Sequence, residues 1–351
     1  KREGAKLICI DPRKTETADK CHQHIAVLPG TDGALALGLM HELIQHDWLD
    51  HDYIARHVDG WDELRAKALA WPPERVAEVC GISADEVRGL ARDYGDRNVV
   101  EAPAAIRMNY GLQRVRGGGN AVRLIALLPC LTGAWRHPSG GALLSASGWF
   151  APYKNPELER PDLLAGRTPR MVNMSTIGDA LLQADPPIEA VVVYNSNPVA
   201  VAPESPKVVK GFQREDLFTV VLEHFMTDTA DLADYVLPAT TQLEHLDVHT
   251  SYGHTDVLIN HPAVAPLGEA KPNTQIFREL AAAMGFDDAC FAETDEQLAR
   301  QAFTAAIDFD ALAEQGWQSL PIPEAPFADG GFATPNGRAQ AAGADYLPNH
   351  E

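Results

Sequence analysis

One short pattern occurs twice in this chain and restricts its fold more than any other feature of the sequence. Each copy has an apolar run ending in an acidic residue, a Thr-x-Thr-Ala-Asp motif beginning four residues later, and a closing Val-Leu-Pro-x-Thr motif. The first copy comprises residues 7–11, 15–19 and 27–31, and the second comprises residues 220–223, 227–231 and 236–240. A recurring unit of this kind is typical of a chain built from similar supersecondary structures. We therefore predict two related structural units.

Short apolar runs alternate with helical patterns along the chain, which is typical of parallel sheets covered by helices. Strands are predicted at residues 6–10, 24–28, 98–102, 189–194, 218–223 and 234–237. Helices are predicted at residues 32–45 behind the capping residues Thr31 and Asp32, after a capping box that starts at Ser83, after the glycines 117–119, and at residues 273–284 before Gly285. The sequence thus predicts an α/β fold.

Domain boundaries are indicated by a stretch rich in Gly, Pro and Ser at residues 139–187. We predict a first α/β domain at residues 1–145 and a second at residues 146–290. Residues 291–351 are predicted to form a helical and irregular segment that leads to a further domain. The chain opens at Lys1, without a methionine, close to its first predicted strand. We therefore expect it to be part of a longer protein.

Composition excludes several classes of function. The 351 residues carry 29 Lys and Arg against 49 Asp and Glu, a net charge of −20, which disfavours binding to nucleic acid or to an anionic membrane surface. No apolar run approaches the roughly 18 residues that a membrane span needs. The five cysteines are scattered, with no Cys-x-x-Cys motif, so they indicate neither a disulfide framework nor an iron–sulfur cage.

The repeated unit suggests a definite chemistry. A carboxylate at the carboxyl end of a parallel strand lies where open α/β sheets bind nucleotides, and it can accept hydrogen bonds from ribose hydroxyls or from the N–H groups of guanine. Threonine hydroxyls and the first N–H groups of a following helix suit phosphate oxygens. Two copies imply two similar ligands or one ligand with two halves. In the alternative interpretation, each acid caps a turn and the threonines cap short helices.

At these motifs the chain resembles the molybdopterin oxidoreductases of the dimethyl sulfoxide reductase and formate dehydrogenase type. The resemblance rests on Ile10-Asp-Pro-Arg13, on Pro29-Gly-Thr-Asp32, on Asn195-Ser-Asn-Pro198 and on residues 227–238, and the order of motifs follows the family from residue 1 to about 345. It implies an α/β fold with two Rossmann-like three-layer lobes whose mostly parallel sheets face a shared cofactor cleft. It also implies a bis-molybdopterin guanine dinucleotide cofactor with molybdenum or tungsten, one guanosine end docking on each lobe.

The resemblance assigns individual residues to this cofactor. For the first nucleotide it implies Asp11, Pro12, Arg13, Thr15, Gly30 and Asp32, with Asp32 on the guanine. For the second it implies Asn195, Ser196, Asn197 and Pro198 at the phosphates, and Glu223 and Thr227 at the nucleoside. It places the protein ligand of the metal, and the cysteines of any iron–sulfur cluster, upstream of this chain. We therefore expect the isolated chain to be inactive, and its catalytic residues stay unknown.

The function that the resemblance implies is transfer of an oxygen atom, or of a hydride or electrons, to or from a small-molecule substrate whose identity stays open. A partner subunit for electron transfer and a bacterial cytoplasmic location are expected, with the periplasm as the alternative. The rival interpretation is a non-catalytic nucleotide-binding or assembly subunit that retains the same scaffold.

Two further groups of residues leave alternatives open. His245, His249 and His254, with Asp247 and Asp256 between them, suggest either a metal site or a loop that faces the substrate. Arg107 and Arg123 either form salt bridges at the edge of the core or attract the anionic cofactor.

Overall fold

The computed structural model describes residues 4–96, 103–343 and 350. The chain divides into two compact units, which consist of the described residues of Lys1–Ala146 with Ile322–Glu351, and of Ser147–Pro321. We refer to them as the first and the second unit. The residues predicted as one segment, 291–351, are divided between the two units at Ile322. The strand predicted at residues 98–102 lies outside the described residues.

Twelve strands and fourteen α-helices occur in the described residues. The strands are β1 Ile8–Ile10, β2 Gln23–Ile25, β3 Val58–Asp59, β4 Ala105–Arg107, β5 Gly141–Leu143, β6 Ala190–Tyr194, β7 Phe218–Glu223, β8 Tyr235–Pro238, β9 Asp247–His249, β10 Asp256–Asn260, β11 Trp317–Ser319 and β12 Ala339–Gln340. The helices are α1 Glu16–Lys20, α2 Asp32–Gln45, α3 His51–His57, α4 Trp61–Leu69, α5 Pro73–Cys80, α6 Ala84–Gly95, α7 Gly118–Thr132, α8 Ser147–Phe150, α9 Ile177–Gln183, α10 Pro198–Val201, α11 Ser205–Phe212, α12 Asn273–Ala283, α13 Asp295–Gln301 and α14 Phe309–Gln315.

Most of the sheets are parallel, as the α/β prediction requires. In the first unit β1 pairs with β2, β4 with β5 and β3 with β12, and all three pairs are parallel. In the second unit β6, β7 and β8 form a parallel sheet in that order, whereas β9, β10 and β11 form an antiparallel sheet with β10 in the middle. The mixed α/β class with mostly parallel sheets is thus confirmed, and the arrangement as two facing Rossmann-like lobes stays a prediction.

The core of the first unit is built around α2. Ten of its fourteen residues are buried, because apolar residues occupy every face of this helix, and such a helix is stable only when it is surrounded by others. It packs against α4, α5, α6 and α7. Residues 322–343 return to this unit: the Tyr53 hydroxyl donates to the Phe327 carbonyl, and Arg338 donates to the carbonyls of Ala55, Arg56 and Val58 at the end of α3.

The core of the second unit lies between the β6–β7–β8 sheet and the helices α9 and α11. Val221 of the central strand is fully buried against Leu181 and Phe212, which belong to these helices. The two helices approach closely at Gly211, where a Cβ atom would lie 2.7 Å from Leu181 Cβ. Any larger residue would force the helices apart.

The helices predicted from their periodicity are confirmed. The capping box at Ser83 is present, since its hydroxyl accepts from the Glu86 backbone and Glu86 accepts from Ser83 N. One detail of the α2 prediction was wrong. The Thr31 hydroxyl does not cap the helix, because it donates to the Leu28 carbonyl at 2.7 Å instead. No helix among the described residues is long and apolar enough to cross a bilayer.

Candidate nucleotide-binding edges

Asp11 lies directly after β1, at the carboxyl end of the parallel pair β1–β2. Its backbone N–H continues the pairing by donating to the Ile25 carbonyl at 3.1 Å. Its carboxylate Oδ1 accepts from Arg13 N at 2.8 Å, which turns the chain away from the strand. The other oxygen, Oδ2, accepts no hydrogen bond from the described residues. Asp11 therefore offers a free carboxylate oxygen at the strand end where nucleotides bind in α/β sheets.

A shallow pocket follows Asp11 along the chain. It is lined by Arg13, Lys14, Thr15, Glu16, Thr17 and Asp19. The Thr15 hydroxyl accepts from Ala18 N and caps α1, so this oxygen is engaged by the protein. The exposed Arg13 guanidinium, in contrast, forms no hydrogen bond or ion pair with any residue that the structure describes. A free guanidinium in a chain of net charge −20 is suited to an anionic ligand such as phosphate.

The turn before α2 brings a second carboxyl group to this edge. Thr31 N donates to the Leu28 carbonyl across Pro29 and Gly30, and Gly30 has φ +80°, which is the geometry of a type II turn with proline and glycine in its central positions. Gly30 is thus required by the backbone. Asp32 begins α2, and its pKa is raised by burial and further by the nearby Asp11 carboxylate. A half-buried carboxyl group beside another carboxylate is stabilised by a ligand that presents N–H donors.

The second unit has a similar edge at the carboxyl ends of β6, β7 and β8. Tyr194 lies opposite Leu222 and Glu223 lies opposite Pro238, so the three strands end at nearly the same level. Glu223 is the last residue of β7, and its side chain is 15% exposed. Its Oε1 accepts from His224 N at 2.7 Å. Asp11 and Glu223 thus occupy matching positions in their units, as the repeated pattern predicts.

The loop after β6 and the loop after β7 are joined by hydrogen bonds. Asn197 Oδ1 accepts from Thr229 N at 3.2 Å and from Thr229 Oγ1 at 2.7 Å, and Val199 N donates to Thr229 Oγ1 at 3.1 Å. The Thr227 hydroxyl accepts from Ala230 N at 3.2 Å. The side chains of Asn197 and Thr227 are therefore engaged in hydrogen bonds within the protein. Thr229, which is fully buried, was missed as the residue that holds both loops.

The other residues predicted for the second nucleotide are placed differently. Asn195 has φ +54°, which turns the chain sharply after β6, and the Ser196 side chain is exposed. Pro198 is buried at the start of α10. Since proline has no N–H to donate, Pro198 bonds only through its carbonyl, which accepts from Ala202 N at 2.9 Å.

The histidines at 245, 249 and 254 do not assemble a metal site. Among the described residues, no group of three or more His, Cys, Asp and Glu side chains could hold a metal ion. His245 Nδ1 instead lies 2.9 Å from the Thr240 hydroxyl, and His249 Nε2 lies 2.6 Å from Gln242 Nε2. The metal-site interpretation is therefore not supported, and a role in facing the substrate stays a prediction.

Glu244 fixes the loop that carries His245. Its carboxylate accepts from the Thr241 backbone and hydroxyl at 2.7 and 2.8 Å, and from Leu267 N at 2.7 Å. These hydrogen bonds lower the pKa of Glu244. A buried carboxylate with three donors holds two distant segments together.

The two arginines left open by the sequence are engaged by the protein. Arg107 donates to the carbonyls of Met108 at 2.7 Å and Leu143 at 3.0 Å. Arg123 donates to Asn120 Oδ1 and to the Ala341 carbonyl. The bonds named here run to backbone carbonyls and to the Asn120 amide, and the salt bridge and the attraction of the cofactor both stay predictions.

Residues 1–283 match the family model described as molybdopterin oxidoreductase, and the chain belongs to this family. The resemblance deduced from the motifs is thus confirmed.

Individual relatives are consistent with this assignment. The chain is 42% identical over 347 residues to the probable oxidoreductase YoaE of Bacillus subtilis (strain 168), covering 97% of this chain and 50% of that protein. It is 28% identical over 389 residues to formate dehydrogenase H of Escherichia coli (strain K12), covering 99% of this chain and 52% of that protein. The chain therefore spans about half the length of these curated relatives.

A solved structure shows the same fold. Acetylene hydratase from Pelobacter acetylenicus superposes with a TM-score of 0.77 over 100% of this chain and 54% of that one, at 23% sequence identity. At this identity the likeness concerns the fold alone.

Proposed function

We propose that this chain is the dinucleotide-binding part of a molybdenum or tungsten oxidoreductase that carries a bis-molybdopterin guanine dinucleotide cofactor. It would act on a small substrate by transfer of an oxygen atom, or of a hydride or electrons, in the bacterial cytoplasm with an electron-transfer partner. The observation that supports this best is the acidic residue at the carboxyl end of a parallel strand in each unit, Asp11 and Glu223.

The residues at both edges fit the nucleotide ends of such a cofactor. Each edge offers a carboxylate that can accept from ribose hydroxyls, and the first edge adds a free guanidinium at Arg13 for phosphate. Asp32 offers a second carboxyl group that suits the two N–H donors on the edge of guanine. When bound, the cofactor supplies redox chemistry at its metal, and the protein supplies binding and orientation.

The hydrogen bonds of the second edge refine the roles of its residues. Because Asn197 and Thr227 are engaged within the protein, we propose that they hold the loop while the Ser196 hydroxyl and the backbone contact the phosphates. Glu223 would accept from the ribose of this second nucleotide. The expected result is two similar nucleotide sites on one chain, one in each unit.

The test is the cofactor content of the protein expressed from its complete gene. Elemental analysis by mass spectrometry gives molybdenum and tungsten per chain, and acid hydrolysis followed by chromatography gives guanosine monophosphate per metal. Two guanosine monophosphates per metal are expected. Nucleotide without metal would refute the oxidoreductase assignment and favour the nucleotide-binding or assembly subunit.

Two matched variants make the test specific. Asp11→Ala should lower the guanosine content, because it removes the free carboxylate at the strand end. Asp85→Ala is the control, since Asp85 belongs to the same unit, does not line the pocket after Asp11, and pairs its exposed carboxylate with Arg88 at 3.3 Å. An equal effect of both variants would contradict the role of Asp11.

A further inference from the structure

Two of the scattered cysteines are brought together in the first unit, on the outer face of the β1–β2 pair. Side chains along a strand alternate between its two faces. Ile8 packs against the core of this unit, so Cys9, the next residue of β1, points to the opposite face, away from that core. Helix α1 contacts both strands of the pair.

Helix α1 brings Cys21 to the same place. Ala18 is the buried residue of this helix, and Cys21 ends the helix by donating its backbone N–H to the Ala18 carbonyl at 3.1 Å. Residues three apart lie on the same side of a helix, so Cys21 follows Ala18 toward the strands. The chain then returns at once to the sheet, where His22 N donates to the Leu7 carbonyl at 2.8 Å. Cys21 is thus held beside β1.

The thiols of Cys9 and Cys21 are in contact. They are hydrogen-bonded to each other, both are half-buried, and among the described residues neither is part of a disulfide bond. Burial raises the pKa of Cys9, and the neighbouring Cys21 thiol and Asp11 carboxylate raise it further. Because the thiolate is the reactive form, Cys9 is the weaker attacking group of the pair.

We propose that Cys9 and Cys21 form a reversible disulfide bond by exchange with a small-molecule disulfide such as oxidised glutathione. The Cys21 thiolate attacks one sulfur of the reagent, which gives a mixed disulfide and releases one glutathione. The Cys9 sulfur loses its proton to water, attacks the Cys21 sulfur and releases the second glutathione. The two cysteines are thereby oxidised by two electrons, and the protons of their thiols end on the two glutathiones.

The bond would close residues 10–20 into a loop. This segment carries Asp11 and most of the residues that line the pocket after it, including Arg13 and Thr15. A cross-link removes conformational freedom from the chain that it encloses. Oxidation should therefore hold α1 against β1 and restrict the opening of this pocket. The thiol pair is independent of the ligand that occupies the pocket.

Peptide mapping by mass spectrometry tests the bond in the protein expressed from its complete gene. The protein is reduced, incubated in glutathione buffers with a rising oxidised share, blocked with N-ethylmaleimide in acidic denaturant and digested with trypsin. Trypsin cuts after each Lys and Arg, which places Cys9 in the peptide of residues 7–13 and Cys21 in that of residues 21–56. These two peptides should be linked, and dithiothreitol should separate them.

Two variants distinguish this bond from oxidation of single cysteines. In Cys9→Ser, glutathione should stay on Cys21, because the thiol that displaces it is absent. In wild type this adduct should be at least about tenfold less abundant, since an adjacent thiol acts at a high effective concentration. Cys290→Ser is the matched control, because Cys290 is also half-buried but belongs to the second unit, so the peptide link should be unchanged.

Three results would overturn the proposal. If wild type keeps glutathione on Cys21 as Cys9→Ser does, the two thiols do not react with each other. If the linked peptides form only when the protein is denatured before oxidation, the fold does not bring the thiols together; this measurement on wild type holds even if Cys9→Ser is unfolded. Hydrogen exchange of the α1 amides should slow in the oxidised protein, and unchanged exchange would refute the restraint on the pocket.

Discussion

Two buried threonines of the second unit provide a test of how the loops at the carboxyl edge of its parallel sheet are held. Thr229 and Thr219 are both fully buried. The Thr229 hydroxyl donates to Asn197 Oδ1 and accepts from Val199 N, whereas the Thr219 hydroxyl has no partner among the described residues. Replacement by valine removes the hydroxyl from each site and keeps the shape of the side chain.

The two substitutions should have opposite effects on stability. Thr229→Val leaves Val199 N without its acceptor, and a buried group that loses its partner costs about 1–3 kcal/mol. Thr219→Val removes a buried hydroxyl that bonds to nothing, so it should stabilise the unit by up to about the same amount. A β-branched apolar side chain also suits the strand position of Thr219.

Native-state hydrogen exchange of the β7 amides, followed by mass spectrometry, reports the opening free energy of this sheet. At about 1.4 kcal/mol per tenfold, Thr229→Val should accelerate exchange by about 5- to 150-fold, and Thr219→Val should slow it or leave it unchanged. Equal acceleration in both variants would show that loss of packing, not the hydrogen bonds of Thr229, controls the stability.

Three further predictions concern single side chains. Arg338→Ala should lower the unfolding free energy of the first unit by about 1–3 kcal/mol, because three carbonyls at the end of α3 lose a charged donor. Urea titrations measure this change, and an unchanged midpoint of urea unfolding would contradict it. Because the pKa of Asp32 is raised, its ionised form opposes folding at pH values above that pKa. Asp32→Asn should therefore have a higher melting temperature than wild type at pH 8, and this difference should disappear as the pH falls and Asp32 is protonated. Because the pKa of Glu244 is lowered, its ionised form stabilises the folded state at pH values above the ordinary pKa of a glutamate, and this stabilisation is lost on acidification. Glu244→Gln should therefore melt at a lower temperature than wild type at pH 7, with a difference that narrows below about pH 4.

The parts of the fold that follow from local patterns were predictable from the sequence. The strands that end at Ile10, Tyr194 and Glu223 are apolar runs bounded by polar residues, and α12 follows its helical periodicity up to Gly285. Strands β9 and β10 were missed because their apolar runs are short: one residue between aspartate and histidine in β9, and three between aspartate and asparagine in β10. Their pairing with each other and with β11 depends on contacts across the unit that no local pattern encodes.

The site was predictable only in part for the same reason. The position of Asp11 and Glu223 at strand ends follows from the repeated pattern. The engagement of Asn197 by Thr229 depends on which loops pack together, and Asn273 reaches Asn195 across 78 positions of sequence. The repeated motif thus indicated which acidic residues lie at strand ends, but not which side chains are already hydrogen-bonded within the protein.

The return of residues 322–343 to the first unit has a consequence for the order in which the protein folds. On the ribosome, all of the second unit is synthesised before the β12 partner of β3 exists, so the second unit can fold first and the first unit is completed last. A fragment that stops at Pro321 would lack the acceptor of the Tyr53 hydroxyl and the arginine that binds the end of α3. Expression of the first unit by itself therefore requires a polypeptide in which a designed linker joins Ala146 to Ile322.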